Sequence, residues 1–223
     1  MKKWVGLYFL TYNVINARLL MEEKVIELIE NNILMRYSSR LSEQAKWLAE
    51  LIVDMSRKGV SIEDGVKIQF GWSFLIFRNF DDNQLILCEP DFSSNPFSEE
   101  KYSIDFTLEV QALQNSFSKC YGVNPIATLF QDKIILVKGC LDKEKLFMER
   151  IEPNLEKGDS GWFINTLEDD GENIEYEAIY AFQLLKLRPE LMSVLILPPG
   201  FIVLVDKNTI EKVINEKNEV VRS

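Results

Sequence analysis

Between Val66 and Phe77 the chain reads VKIQFGWSFLIF, with Val66, Ile68, Phe70, Trp72, Phe74 and Ile76 at alternate positions. A period of two places those side chains on one face of an extended strand, whereas a helix would scatter them around its axis. Asp81, Asp82 and Asn83 follow as turn formers, and the apolar run LILC ending at Cys88 supplies the returning strand of a hairpin. A sheet is therefore required, and the rest of the chain has to supply what packs on it.

Helical periodicity occurs in several places. Met21 to Arg36 spaces Val25, Leu28, Ile29 and Ile33 as a helix would, with glutamates in its first turn. Ser42 to Lys58 carries the stripe Ala45, Leu48, Leu51, Ile52 and Met55 and stops at Gly59. A third helix is expected from a cap at Thr107 through Val110, Leu113, Phe117 and Cys120 to Gly122. The segment from Glu89 to Ser103 reads as a loop, and Asp132 to Val137 as a short strand. A charged helix from Asp142 to Ile151 then leads to Pro153, the expected domain boundary.

Beyond Pro153, Gly161 to Leu167 reads as a strand and Glu175 to Leu187 as an amphipathic helix closed by Pro189. The turn Pro198, Pro199, Gly200 precedes a buried strand from Phe201 to Val205, and Thr209 to Lys217 forms a small helix. The expected class is α+β: helices packed on an antiparallel sheet over residues 21–151, followed by a smaller acidic α+β domain over 152–223. Residues 1–20, with two lysines and the apolar run Trp4 to Leu10, imitate a signal peptide, but Thr11, Tyr12 and Asn13 break the run. They are read as an N-terminal extension upstream of Met21.

Composition narrows the function. The chain has no histidine, which removes the usual neutral-pH base, the commonest transition-metal ligand and every Ser-His or Cys-His nucleophile pair. The net charge of −10 opposes binding to nucleic acid or to an anionic membrane surface and favours basic protein partners. Three cysteines, Cys88, Cys120 and Cys140, lack the short spacing of a zinc knuckle and are odd in number, which fits a reducing, cytoplasmic setting. No run of apolar residues is long enough for a membrane span.

The negative charge is concentrated. From Glu152 to Glu177 nine carboxylates, Glu152, Glu156, Asp159, Glu168, Asp169, Asp170, Glu172, Glu175 and Glu177, face one base, Lys157, so this window carries −8 of the total −10. Self-repulsion of that size costs stability, and either solvation of a loop or recognition of a basic partner accounts for it. The stretch EDDGENIEYE has the wrong spacing for a calcium loop. Trp162, Phe163, Tyr176 and Tyr180 are candidates for the desolvated anchor that tight binding needs, with core packing the competing role for Trp162 and Phe163.

Other chemistry is weaker. Glu89 and Asp91, with Asp105 near, could form the carboxylate pair of a hydrolase, against the more ordinary use of such groups to cap backbone N–H groups in turns. No glycine-rich phosphate loop is present. Ser160 has no histidine to activate it. In Asp159, Ser160, Gly161, Trp162 the Asp is suited to folding over the next N–H groups and the Gly to a turn that a Cβ forbids.

The run GDSGWFINTLEDDGE, a following helix ending in RPEL, and LPPGFIVLVDKN resemble the C-terminal domain of bacterial immunity proteins from polymorphic toxin systems, long catalogued as a domain of unknown function. Asp159, Ser160, Gly161, Trp162, Pro189, Pro199 and Gly200 carry the likeness, which with the upstream IQFGWSFLIF and LCEPDF spans roughly residues 40–208. It implies a non-catalytic protein, without cofactor or metal, that neutralises a cognate toxin by direct binding. The expected contact residues are Asp159, Trp162, Glu168, Asp169, Asp170, Glu172, Glu175 and Glu177. The alternatives are a regulatory adaptor for another cellular protein and the carboxylate-based hydrolase.

Overall fold

The computed structural model describes residues 24–29 as backbone and residues 32–168 and 174–221 in full. The chain is α+β, with two mixed sheets, and divides into two compact units at Ala112/Leu113. The division falls inside one helix and not at Pro153, which lies in a turn joining two paired strands of the second unit. The N-terminal extension, residues 1–20, lies outside the described residues.

In the first unit the strands are β1 (Lys24–Ile29), β2 (Ile33–Ser38), β3 (Lys67–Phe70), β4 (Ser73–Asp81), β5 (Gln84–Pro90) and the two-residue β6 (Glu100–Lys101). Their order is β1-β2-β5-β4-β3, with β6 on β5. The helix α1 (Ser42–Arg57) lies in the crossover between β2 and its parallel neighbour β5. It buries Ala45, Leu48, Ala49 and Ile52 from its apolar stripe in a core with Met35, Phe70, Leu75 and Phe77. The turn at Asp82 and Asn83 forms as expected, Asn83 taking the left-handed conformation with φ +65°.

Two expectations in this unit are corrected. Met21 to Arg36 is no helix: from Lys24 onward it is the antiparallel hairpin β1–β2, with Ile29 opposite Ile33 and Asn32 at φ +56°. The same spacing serves a β-branched strand pair, and an asparagine in the left-handed region ends a helix while it suits a turn. The strand expected from Val66 to Phe77 is broken by a two-residue turn at Gly71 and Trp72, with Phe70 paired to Ser73. Gly71 has φ +60°, as a type II′ hairpin needs at its first central position. A Cβ there would stand 1.4 Å from the Gln111 side-chain oxygen. Trp72 is thereby turned inward, fully buried and stacked on Phe92 with ring centroids 4.7 Å apart.

The second unit holds the C-terminal part of α2 (Asp105–Tyr121), then β7 (Lys133–Val137), β8 (Lys145–Arg150), β9 (Asp159–Thr166), β10 (Tyr176–Tyr180), the one-turn α3 (Leu184–Leu187), β11 (Ile202–Asp206), β12 (Thr209–Ile214) and β13 (Val220–Val221). The sheet order is β10-β7-β9-β8-β11-β12-β13, antiparallel except for β7 beside β9. The segment Asp142 to Ile151 is mostly strand and not a charged helix, because Leu146, Met148 and Arg150 alternate into the interior. Thr209 to Lys217 is likewise a strand for most of its length, paired with β11 and β13. Glu175 to Leu187 begins as the strand β10, where Tyr176, Ile179 and Tyr180 favour extended backbone, and only then turns helical. Pro189 opens the 3₁₀ segment Pro189–Ile196, where its missing N–H costs nothing.

Glu89 is fully buried at the start of α2, its carboxyl accepting from the backbone N–H of Phe106 at 3.2 Å and of Thr107 at 2.7 Å. Burial outweighs those hydrogen bonds and pushes its pKa up to about 8. The folded state thus favours the neutral acid, a contribution complete below the ordinary carboxylate range and lost as the pH rises through about 8. The thermal midpoint is expected to fall between about pH 5 and pH 8, and Glu89→Gln to flatten that slope; an unchanged slope in the variant would assign the dependence to other groups.

Candidate functional site

The D-S-G-W segment opens β9 and is built into the second sheet by its own side chains. Asp159 accepts from the Gly161 N–H at 2.9 Å, and the Ser160 hydroxyl donates to the Lys133 carbonyl at 2.6 Å while accepting from the Trp162 N–H at 3.2 Å. Gly161 sits at φ +76°, and a Cβ would stand 2.1 Å from the Ile151 carbonyl oxygen. No other residue fits that approach. Ile151 donates its own N–H to the Gly161 carbonyl at 2.9 Å, which ties β8 to β9 where the turn through Pro153 begins.

Trp162 is 1% exposed. Its indole N–H donates to the Thr128 hydroxyl at 3.1 Å, which in turn donates to the Leu195 carbonyl at 2.8 Å. Its ring lies 5.7 Å from the Arg150 guanidinium. As an anchor exposed to a partner, the role considered for it, Trp162 is therefore corrected: it is core. Phe163, of opposite parity, lies on the other face, half-buried, with its ring 6.2 Å from that of Tyr176.

Arg150 is the group around which these segments meet, and periodicity that suggested a helix concealed it. Only 2% exposed, it donates to the carbonyls of Ile126 at 2.7 Å, Ser160 at 3.3 Å and Leu197. Burial lowers its pKa to about 10, and the charges of Asp132 and Glu152 oppose that shift. It makes no ion pair among the described residues, so carbonyl dipoles carry the solvation that water would give. A second buried arginine, Arg188, does the same for other loops: it donates to the carbonyls of Leu141 at 2.9 Å, Lys143 at 3.1 Å and Lys207 at 2.5 Å and pairs with Glu190. The segments written D-S-G-W, R-P-E-L and L-P-P-G are thus all held by internal hydrogen bonds. Ser160 is spent on the backbone and is buried.

The acidic window does not form one patch. Glu152, Glu156 and Asp159 lie at or before the start of β9 and Glu168 just past its end, roughly 25 Å away at strand rise. Asp159 is engaged with Gly161. Glu168 approaches Lys143 at 3.8 Å, and Glu175 pairs with Lys138 at 2.8 Å, which lowers the Glu175 pKa. Glu177 is exposed on β10, opposite Leu136 of β7. Asp169, Asp170 and Glu172 lie outside the described residues. Of the described carboxylates, Glu168, Glu175 and Glu177 lie toward one end of β10, the edge strand, apart from Asp159.

The carboxylates considered for hydrolysis do not share a cleft. Glu89 is sealed as described, and Asp105 is buried, accepting from the Ser38 N–H at 2.6 Å and the Ser103 hydroxyl at 2.8 Å. Asp91 folds onto its own loop through Ser93. Glu89 and Asp105 are sealed from a substrate, and hydrogen bonds to local N–H or O–H groups account for all three. No cluster of three His, Cys, Asp or Glu suited to a metal occurs among the described residues. None of the three cysteines is in a disulfide, and Cys88 and Cys140 are buried. No helix among the described residues is long and apolar enough to cross a membrane.

The family model of the Imm33-like domain matches residues 113–216, which is nearly all of the second unit and just under half of the chain. The match indicates an immunity-protein-like family for this segment. It starts well after residue 40, where the likeness seen in the sequence began, and takes in Arg150 and Arg188. No curated protein and no solved structure matches the chain significantly.

Arg150→Met keeps the bulk of the side chain but removes the donor from the carbonyl of Ile126 and from the buried carbonyls of Ser160 and Leu197. A loss of about 3 kcal/mol in stability is expected from denaturant unfolding. An equally stable variant would show that the carbonyls find other partners.

Proposed function

We propose that this protein is a bacterial immunity protein that binds and neutralises a cognate toxin by direct contact, and that the toxin surface it meets is basic. The observation that carries the proposal is the match of residues 113–216 to the Imm33-like domain. The net charge of −10, mostly between Glu152 and Glu177, supports a basic partner: complementary charge speeds encounter and rejects other acidic or neutral surfaces. The contact in this proposal runs through Glu168, Asp169, Asp170, Glu172, Glu175 and Glu177. Asp159 and Trp162 serve it from behind, by fixing β9. The protein acts as a binder and not as an enzyme, in the cytoplasm, where buried thiols stay reduced.

The test has two steps. The full chain is used as bait in lysate of its source cell at several salt concentrations, and any basic protein recovered is expressed with and without the chain to see whether it is toxic and whether the chain relieves the toxicity. The triple variant Asp169→Lys, Asp170→Lys, Glu172→Lys is then compared in association kinetics. Association is expected to slow about tenfold or more at low salt, with a flatter salt dependence. Unchanged kinetics would remove the acidic window from the interface, and a captured protein that is not toxic would overturn the immunity reading.

A further inference from the structure

The strand β10 ends the second sheet, and its backbone shows which groups the sheet leaves over. The Lys138 N–H donates to the Glu175 carbonyl and the Ala181 N–H to the Asp132 carbonyl, which fixes the phase of the β10–β7 ladder. In an antiparallel pair alternate residues turn their N–H and C=O to the same neighbour, so Glu177 and Ile179 face β7 while Tyr176, Ala178 and Tyr180 face outward. The outward N–H of Tyr180 is taken by the Gln183 side chain at 2.8 Å. What remains is a short open edge made by Tyr176 and Ala178, both exposed, Tyr176 to 64%. Neither has an outward hydrogen-bond partner among the described residues. Exposed edges of this kind accept another strand unless the protein blocks them.

The occupant follows from charge and register. A second copy pairing antiparallel about Ala178 would set Tyr176 against Tyr180, whose N–H is already spent on Gln183. Pairing about Glu177 would set that carboxylate directly against its own copy, an unfavourable cross-strand pair. A strand with lysine or arginine opposite Glu177 meets neither obstacle and faces Glu175 as well. We infer that β10 receives an extended basic segment of the toxin by strand addition, its main chain bonding to Tyr176 and Ala178 and its cationic side chain meeting Glu177. This rests on the proposed immunity function for the identity of the partner, although the edge itself does not.

Amide hydrogen exchange of the full chain is followed with a synthetic peptide alternating lysine and valine as the probe, and with a glutamate and valine peptide as control. The lysine peptide is expected to slow exchange at Tyr176 and Ala178 by about tenfold or more, and the glutamate peptide to leave it unchanged. Ala178→Pro removes an N–H that makes no bond to β7, so it should abolish the response at Tyr176 while β7 and β9 exchange as before. Glu177→Lys, which alters no backbone group, should reverse the preference between the two peptides. Slowing absent from the edge, slowing at another surface, or slowing that grows with protein concentration without peptide would overturn the proposal, the last in favour of a second copy. Neutralisation of a toxin by Ala178→Pro as good as by the native chain would end strand addition and leave the immunity function standing. An edge response in a chain that neutralises no toxin would do the reverse.

Discussion

A guanidinium buried without a carboxylate partner has to be solvated by the fold, and Arg150, which has none among the described residues, is solvated by carbonyls drawn from separate stretches of chain. Ile126 lies after α2, Ser160 opens β9, and Leu197 precedes the Pro-Pro-Gly turn. These segments take up their positions together because each leaves a buried polar group unmatched if it does not. Trp162 then packs against Arg150 and reaches Thr128, and Thr128 reaches Leu195, so the covered face of the sheet closes through one connected set of contacts. Arg188, which does pair with a carboxylate, Glu190, likewise bonds the carbonyls of the turns that contain Leu141, Lys143 and Lys207.

The short sequence signatures of the second unit therefore describe its scaffold. Gly161 is required by the Ile151 carbonyl, Ser160 by Lys133, and Pro189 by the start of a 3₁₀ segment. In the proposed function a partner meets what the scaffold leaves outside, and the edge of β10 combines open backbone groups with exposed carboxylates. Lysines at Lys138 and Lys143 already offset two of those carboxylates. Of the acidic residues from Glu168 to Glu177, the sequence leaves Asp169, Asp170, Glu172 and Glu177 beyond those two.

Much of the fold was legible in the sequence, and the parts that were not share a cause. The stripe of α1 and the turn at Asn83 rest on local signals that tertiary contacts reinforce. The alternation over Lys145 to Arg150 was concealed because an arginine occupies an inward position, and charge ordinarily marks a surface. The β1–β2 hairpin and β10 carry spacings that both periodicities accept over a few residues, and only pairing with β5 and β7 decides between them. Gly71 and Trp72 looked like mid-strand residues because Trp72, Phe74 and Ile76 continue the alternation in the sequence, whereas the two-residue turn moves the core face from Ile68 and Phe70 to Leu75 and Phe77. The acidic window was evident as composition, but its division between the two ends of β9 depends on the strand running straight through it.

Under the proposed function the D-S-G-W segment builds the protein and the toxin is contacted elsewhere. Trp162→Phe is the test, since it keeps an aromatic ring in the core while removing the N–H that reaches Thr128 and part of the buried ring. A lower thermal midpoint is expected, together with undiminished toxin neutralisation at temperatures well below it. Neutralisation lost at an unchanged midpoint would return Trp162 to the interface.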